Sequence, residues 1–157
     1  MQGVIEAVCI SPGGLPKLPV PEAMVSAAGL EGDAHNHPHI HGGPEKALLL
    51  IAAESLEQLR AAGFAVAPGV LGENLATRGL DFTRLCAGMR LRAGGALVEL
   101  TRLRTPCRQL DFLNAGRPGA IQQRLRDEPH LAGWYARVLL PGLIRRGDII
   151  VLTECAV

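Results

Sequence analysis

Residues 89–104 read MRLRAGGALVELTRLR, two runs of alternating apolar and polar residues on either side of Gly94 and Gly95. Alternation with a period of two is typical of strands that bury one face, and a glycine pair tolerates the positive φ angles of a tight turn. The segment therefore predicts a β-hairpin. Polar residues in both runs, among them Arg90 and Glu99, predict that one face of this hairpin meets water or lines a pocket.

Short strands are predicted through most of the remaining sequence. Further strands are predicted at residues 3–11, 45–53, 134–140 and 148–155. Leucine spacing predicts a helix at 54–63, which Gly63 is expected to end, and a short amphipathic helix is predicted at 120–128. Four prolines in residues 12–23 exclude a regular element there and predict an extended surface crossing. Many strands with one or two helices favour a β-barrel or a compact mixed β fold.

The length of 157 residues predicts one domain with a core of its own. The four cysteines are widely spaced without a CxxC pair, so a zinc ribbon and a disulfide framework are both poorly supported. The first residues lack a basic signal-peptide region, and the longest fully apolar run, Ala47 to Ala53, is too short to cross a bilayer. We therefore expect a cytoplasmic protein with no membrane partner.

Charge is unevenly distributed along the chain. Residues 1–77 contain eight acidic and three basic residues, whereas residues 78–157 contain seven acidic and thirteen basic residues, all of them arginine. Arginine suits bidentate binding of phosphate or carboxylate groups, although codon bias is an equally good explanation for its abundance. With five aromatic residues in the whole chain, a base-stacking surface is not expected, and nucleic acid is not a predicted partner.

Cys107 is the strongest candidate for chemistry. It lies in LTRLRTPCRQLD (100–111), where Pro106 is expected to end a strand and a helical turn is expected to follow. Arg104, Arg108 and the free N–H groups of such a turn would stabilise a thiolate, which predicts a nucleophilic or metal-ligating sulfur. A buried, inert cysteine is the alternative. That alternative is the prediction for Cys9, Cys86 and Cys155, which lie in apolar, strand-like segments.

A histidine- and glycine-rich segment, GDAHNHPHIHGGPEKAL, occupies residues 32–48. Histidines at 35, 37, 39 and 41 would share one face of an extended strand and could bind Zn²⁺ or Ni²⁺, but Pro38 and the glycines favour an exposed loop instead. The end of the segment is more informative. Gly42 and Gly43 permit close approach to a ligand, and His41 and Lys46 could hold an anionic group.

Residues 68–75, PGVLGENL, place Glu73 and Asn74 between two leucines. Two interpretations are equally supported. Either these polar side chains satisfy each other or the local backbone, or the Asn74 amide points into a pocket and binds a ligand through two hydrogen bonds.

The chain resembles the MOSC domain family, named after the C-terminal domain of molybdenum cofactor sulfurase. The resemblance rests on a series of short motifs found in the family's order between about residues 29 and 152: GLEGDAH, HGGPEKAL, PGVLGENL, GLD, LRTPCRQLD, GWYARVL and GDIIVL. It implies one domain over residues 1–157 with a mainly β, barrel-like fold of the pyruvate-kinase-barrel type and a few short helices.

The resemblance also implies a function. Family members bind a molybdopterin-type molybdenum cofactor, and their functional cysteine matches Cys107, as a molybdenum ligand or as a persulfide carrier. Single-domain bacterial members include reductases of N-hydroxylated bases. The cofactor's phosphate and dithiolene are anionic, so we expect them to contact cofactor-binding residues at His41, Gly42, Gly43, Lys46, Asn74, Arg104 and Arg108.

Three hypotheses remain open on the sequence. The chain is a molybdenum-dependent oxidoreductase that takes electrons from a separate protein, a persulfide sulfur carrier or cofactor-handling module served by a sulfur-donor protein, or a non-catalytic module that binds an anion or a metal. Pyridoxal phosphate is not expected, because no aminotransferase-like domain accompanies the motifs.

Overall fold

The computed structural model describes residues 1–34 and 42–154, and within them the fold is mainly β. The strands are β1 Gln2–Ile10, β2 Leu18–Val20, β3 Glu22–Ser26, β4 Gly29–Leu30, β5 Leu48–Ala52, β6 Leu75–Arg78, β7 Arg90–Ala93, β8 Ala96–Leu103, β9 Trp134–Leu140, β10 Gly142–Arg145 and β11 Ile149–Glu154. The α-helices are α1 Ala53–Ala61 and α2 Ala120–Asp127. Four 3₁₀ helices cover Pro44–Lys46, Phe82–Arg84, Arg108–Leu113 and Pro129–Ala132.

Seven strands close into a barrel. Their order is β1-β11-β7-β8-β9-β5-β6, and β6 pairs with β1 to complete the circle. Neighbours are antiparallel except β5 and β6, which are parallel and joined through α1. A separate three-stranded sheet has the order β10-β3-β4. The predicted barrel-like fold with a few short helices is therefore confirmed.

Two apolar clusters lie on opposite sides of the barrel wall, and β5 shows why. Leu48 and Leu50 belong to the cluster inside the barrel, while Leu49 and Ile51 belong to a second cluster under the helices. Because successive side chains of a strand point to opposite faces, a strand covered on both faces has to be apolar throughout. This explains the continuous apolar run in residues 47–53.

The predicted hairpin is formed by β7 and β8, with Ala93 opposite Ala96 and a two-residue turn between them. Gly94 has a φ of +54°, and a Cβ there would lie 2.3 Å from an Asp148 carboxylate oxygen, so the turn favours glycine. On the outer face, Arg90 Nε donates to Glu99 Oε2 at 2.9 Å. The predicted polar face of the hairpin is thus confirmed.

Other sequence predictions are also confirmed, with one correction. The opening strand and both α-helices are present, and α1 is followed by Gly63 at a φ of +94°. The prediction of no regular element in residues 12–23 is wrong, because β2 pairs with β1 and β3 begins at Glu22. Pro19 is tolerated because β2 is an edge strand, where a missing N–H costs no ladder hydrogen bond. Within the described residues, no helix is both long and apolar enough to span a membrane.

Candidate functional site

Cys107 lies in an irregular segment that follows β8. The strand ends at Leu103, three residues before Pro106, so the prediction that Pro106 ends it is wrong. The reason is that the partner strand β9 begins at Trp134, opposite Leu103. One further backbone bond follows, in which the carbonyl of Gly133 accepts the Arg104 N–H at 2.9 Å. The predicted helical turn after Cys107 is present as the 3₁₀ helix Arg108–Leu113.

The backbone at Cys107 is fixed by helix α2. The buried Gln122 side chain donates to the Cys107 carbonyl at 3.1 Å and to Asp111 Oδ1 at 2.7 Å. The amide of Asn114 donates in turn to Gln122 Oε1 at 3.2 Å. Cys107 is half-buried, and the hydrogen bond from Gln122 fixes the backbone that carries its sulfur.

Two adjoining depressions surround this position. The first, which we call the outer groove, is lined by Lys46, Arg102, Leu103, Thr105, Pro106, Cys107 and Tyr135. The second, which we call the inner cavity, has a volume of about 50 Å³ and is lined by Gly14, Leu15, Lys17, Ala34, Lys46, Leu49, Leu71, Gly72, Asn74, Arg104, Gln109 and Tyr135. Lys46 and Tyr135 line both, so they form the wall between Cys107 and the inner cavity.

Positive charge is concentrated along this wall. Lys46 Nζ lies 5.6 Å from the centre of the Tyr135 ring, and the Arg102 guanidinium carbon lies 6.0 Å from it. Burial lowers the pKa of Lys46, and the like charge of Arg102 lowers it further. Crowded cations of this kind lose their mutual repulsion when an anion sits between them.

Tyr135 provides a neutral hydrogen-bonding group at the same place. Burial raises the pKa of its hydroxyl above the usual 10, and the charge of Arg104 only partly opposes the rise. The phenol is therefore protonated at neutral pH and can donate a hydrogen bond.

Arg104 is a second deeply buried cation, beside Lys17, in contact with the inner cavity. The residue is 7% exposed, and among the described residues its Nη1 has no hydrogen-bond partner. A buried guanidinium nitrogen without an acceptor is costly, so this nitrogen is a strong donor for an acceptor that enters the cavity.

A buried hydrogen-bond network forms the far side of the inner cavity. Lys17 and Asp33 make an ion pair with side chains that are 5% and 4% exposed. Asn74 Nδ2 donates to Asp33 Oδ2 at 2.8 Å and, more weakly, to the Cys9 carbonyl at 3.4 Å. Asn74 Oδ1 accepts the Leu49 N–H at 3.1 Å. The Asn74 amide therefore satisfies the backbone and Asp33, although the residue also lines the cavity.

Glu73 belongs to the same buried layer. It is 0% exposed, and its Oε1 accepts the Gly69 N–H at 2.8 Å. Gly69 in turn accepts the Lys17 N–H at 2.9 Å, and a Cβ at Gly69 would lie 2.1 Å from the Lys17 carbonyl oxygen. The loop that contains Glu73 thereby holds the segment that contains Lys17.

The predicted site residues do not all meet. Cys107, Lys46, Asn74 and Arg104 line the groove or the cavity, whereas the exposed Arg108 is not among their lining residues. Gly42 and Gly43 precede the 3₁₀ helix that presents Lys46, and they too are outside both lining sets within the described residues. His41 and the histidines at 35, 37 and 39 lie outside the described residues.

The remaining cysteines differ from one another. Cys9 is buried in β1, and burial raises its pKa to about 12, so it is the inert thiol that the sequence predicted. Cys86 is exposed and lies outside the strands, so the prediction of a buried cysteine in a strand-like segment is wrong for it. Cys155 lies outside the described residues. Within residues 1–34 and 42–154, no group of three or more His, Cys, Asp or Glu side chains is arranged to hold a metal ion.

Sequence reasoning missed Lys17, Asp33 and Tyr135. The motifs GLEGDAH and GWYARVL contain the last two and were the available signal. No sequence signal marked Lys17, because it stands alone in a proline-rich segment.

A family model described as the MOSC domain matches residues 37–151. The chain belongs to the MOSC domain family. Protein YiiM of Escherichia coli strain K12 is 34% identical over 142 residues, which are 85% of this chain and 60% of that protein. A protein of Gibberella moniliformis named "Reductase" is 33% identical over 136 residues, which are 82% of this chain and 23% of that protein.

The crystal structure of YiiM from Escherichia coli superposes with a TM-score of 0.77 and 28% sequence identity, over 99% of this chain and 71% of that one. This chain spans 60% or less of the length of the curated relatives described above.

Proposed function

We propose that the protein binds a molybdopterin-type molybdenum cofactor, with Cys107 as a ligand to the metal, and acts as the cofactor-binding part of a reductase of N-hydroxylated compounds. The observation that carries this proposal is the position of Cys107. Cys107 is half-buried and lies in a groove that shares Lys46 and Tyr135 with a cavity lined by Arg104, whose Nη1 has no hydrogen-bond partner among the described residues.

The residues present fit such a cofactor. Molybdenum binds thiolate sulfur, and the cofactor carries an anionic phosphate. Arg104 and Lys46 offer donors for an anionic group, and the Arg104 nitrogen lacks an acceptor in the described structure. When bound, the cofactor would supply a metal centre that exchanges electrons and oxygen atoms.

The residues of this chain would bind and orient. Gln122 holds the Cys107 carbonyl and so limits the motion of the sulfur. Lys46 and Arg104 would hold the anionic part of the cofactor, and the protonated Tyr135 hydroxyl would donate a hydrogen bond at the wall between groove and cavity. Electrons would come from a separate protein.

The test is metal and pterin analysis of the protein purified from a host that makes the cofactor. We expect close to one molybdenum and one pterin per chain in the wild type, and loss of molybdenum in Cys107→Ala. Cys86→Ala is the matched control, because Cys86 is an exposed cysteine outside the groove and the cavity. Molybdenum that persists in Cys107→Ala would refute ligation by this sulfur.

The same purified protein distinguishes the sulfur-carrier hypothesis from molybdenum ligation. Alkylation and mass spectrometry after loading with a sulfur donor would reveal a persulfide on Cys107. A persulfide without bound molybdenum would favour the carrier, and neither persulfide nor molybdenum would favour a non-catalytic binding module.

A further inference from the structure

Strand β8 contains one residue more than its partner β9 close to the outer groove. Leu100 lies opposite Ala136 and Arg102 lies opposite Tyr135, so Thr101 is an extra residue and forms a β-bulge. Without the bulge, strand alternation would turn residue 102 to the same side as Leu100, which belongs to the cluster inside the barrel. β-Bulges re-aim the side chains next to them and are frequent beside active sites. Arg102 is therefore exposed and lines the outer groove.

The bulge also holds the segment that presents Lys46. The Thr101 hydroxyl donates to the Glu45 carbonyl at 2.6 Å, and Lys46 follows Glu45 in the same 3₁₀ helix. Lys46 Nζ and the Arg102 guanidinium carbon lie 5.6 and 6.0 Å from the centre of the Tyr135 ring. One irregularity of β8 thus brings two cations to the outer groove.

Arg102 differs from arginines on the strands around it. Three of those arginines, on β7, β9 and β10, each form an ion pair with a glutamate: Arg90, Arg137 and Arg145. Arg102 forms no ion pair with an acid in the described part of the chain, and its contact is with the Tyr135 ring. A guanidinium without an internal counter-ion can bind an oxyanion through two parallel hydrogen bonds.

We propose that the outer groove is the substrate site and that Arg102 selects substrates that carry an oxyanion group, such as a phosphate ester or a carboxylate, over neutral ones. The inference rests on the proposed function, because it takes the groove beside Cys107 as the place where the N-hydroxylated compound reacts. Cofactor and substrate then use different cations. The buried Arg104 lines the inner cavity and holds the anionic part of the cofactor, whereas the exposed Arg102 lines the outer groove and holds that of the substrate.

The exposure of Arg102 sets the expected size of the effect. A hydrogen bond to a charged group corresponds to about tenfold or more in affinity, and solvent around an exposed cation keeps the gain at the lower end of that range. We therefore expect the wild type to bind a substrate with a phosphate ester about tenfold more tightly than the same molecule without it.

The test compares an N-hydroxylated adenosine with its 5′-monophosphate at constant ionic strength. Tyr135 is the only tyrosine in the chain, so tyrosine-labelled protein gives one set of ring signals in nuclear magnetic resonance spectra, and these signals report binding in the groove. The variants are Arg102→Gln and Arg102→Lys. The matched control is Arg92→Gln, which removes the same charge from an exposed position on β7 that does not line the groove.

Arg102→Gln should lose the tenfold preference because the affinity for the monophosphate alone falls. Arg102→Lys should keep part of the preference, because the charge remains but the planar fork is lost. Arg92→Gln should match the wild type. An equal preference in wild type and Arg102→Gln would overturn the inference, and so would a wild type that binds both molecules equally or fails to bind the monophosphate.

Inorganic phosphate distinguishes a substrate site from a site for free oxyanions. We expect phosphate to bind much more weakly than the monophosphate, and equal affinities would overturn the inference. On the molybdenum-loaded enzyme with a chemical reductant, Arg102→Gln should raise KM for the monophosphate about tenfold, leave kcat nearly unchanged and leave both constants for the nucleoside unchanged. A fall in kcat for both substrates without a change in KM would contradict selection by Arg102.

The two proposals fail in different measurements. A wild type that contains molybdenum but shows no preference for the monophosphate refutes the role of Arg102 and leaves the proposed function standing. A wild type without molybdenum refutes the proposed function in the metal analysis, which does not depend on Arg102.

Discussion

The buried ion pair between Lys17 and Asp33 makes a sharp prediction for Asp33→Asn. In the wild type, Asp33 Oδ2 receives donors from Lys17 and Asn74, and Oδ1 accepts the Ser11 N–H at 2.9 Å. Asparagine can keep the bond to Ser11 only by turning an NH₂ group toward two other donors. The charge of Lys17 would then be buried, on a side chain 5% exposed, without its counter-ion.

Removing one partner of a buried ion pair costs about 3–5 kcal/mol in the free energy of unfolding, and we expect Asp33→Asn to fall in that range. Lys17→Met should cost less, about 2–3 kcal/mol, because Asp33 keeps the donors of Ser11 and Asn74. The double variant should be more stable than the sum of the single losses predicts by about 1 kcal/mol or more.

Urea unfolding followed by circular dichroism measures these differences, provided that the denaturant dependence is equal among the variants. The matched control is Glu22→Gln, which breaks an exposed pair with Arg145 and should change stability by less than about 0.5 kcal/mol. If Asp33→Asn lowers the free energy of unfolding by less than about 1 kcal/mol, the charges of the buried pair are not needed for stability and this prediction is wrong.

Three further predictions concern the scaffold of the site. Gly133→Ala should lower the free energy of unfolding by at least about 2 kcal/mol, because the φ of Gly133 is +89° and a Cβ would lie 2.3 Å from the Leu50 carbonyl oxygen. The control Gly116→Ala also has a positive φ but nothing within 4 Å of the added Cβ, and it should cost only about 1–2 kcal/mol in the same thermal unfolding experiment. Gln122→Leu should lose about 2 kcal/mol and lower the molybdenum content although Cys107 is intact, and the exposed neighbour Gln123→Leu should change neither. Burial raises the pKa of Glu73 in the folded protein above its usual 4.5, so its contribution to stability is complete below that pH and is lost as the pH rises. Above about pH 4.5, the free energy of unfolding of Glu73→Gln should therefore fall less steeply with pH than that of the wild type, by up to about 1.4 kcal/mol per pH unit. Equal slopes would contradict the last prediction.

Local patterns were sufficient to predict six of the seven barrel strands, and β6 was not predicted. The alternation around Gly94 and the apolar run at residues 47–53 each record a physical requirement of a single segment, namely a tight turn or burial on both faces. The strand β2 escaped prediction because a proline is compatible with an edge strand and the edge is defined only by the rest of the sheet. The end of β8 escaped for a similar reason, since it depends on where the neighbouring strand β9 begins.

The candidate site divides in the same way. Cys107 could be singled out because its charged neighbours and its proline stand beside it in the sequence. The ion pair between Lys17 and Asp33 could not be predicted, because these residues lie in separate segments that meet only in the folded chain. The place of Tyr135 on both the outer groove and the inner cavity could not be predicted either, because it depends on what packs beside strand β9. Asn74 shows the limit of motif reading: its position was found, but whether its amide faces a ligand or the backbone depends on the distant residues Asp33 and Leu49.

The barrel wall separates two apolar cores, and this has a consequence for how the molecule opens. The helices α1 and α2 and the 3₁₀ helix that begins at Arg108 pack on the outer core, whereas the barrel strands are joined in a closed ring. We therefore expect the helical layer to open at a lower free energy than the ring. The segment containing Cys107 is tethered to that detachable layer through Gln122. Amide hydrogens around Cys107 should therefore exchange with solvent through local unfolding at a lower free energy than those of β5 and β8. The amides of these two strands should exchange only when the barrel itself unfolds.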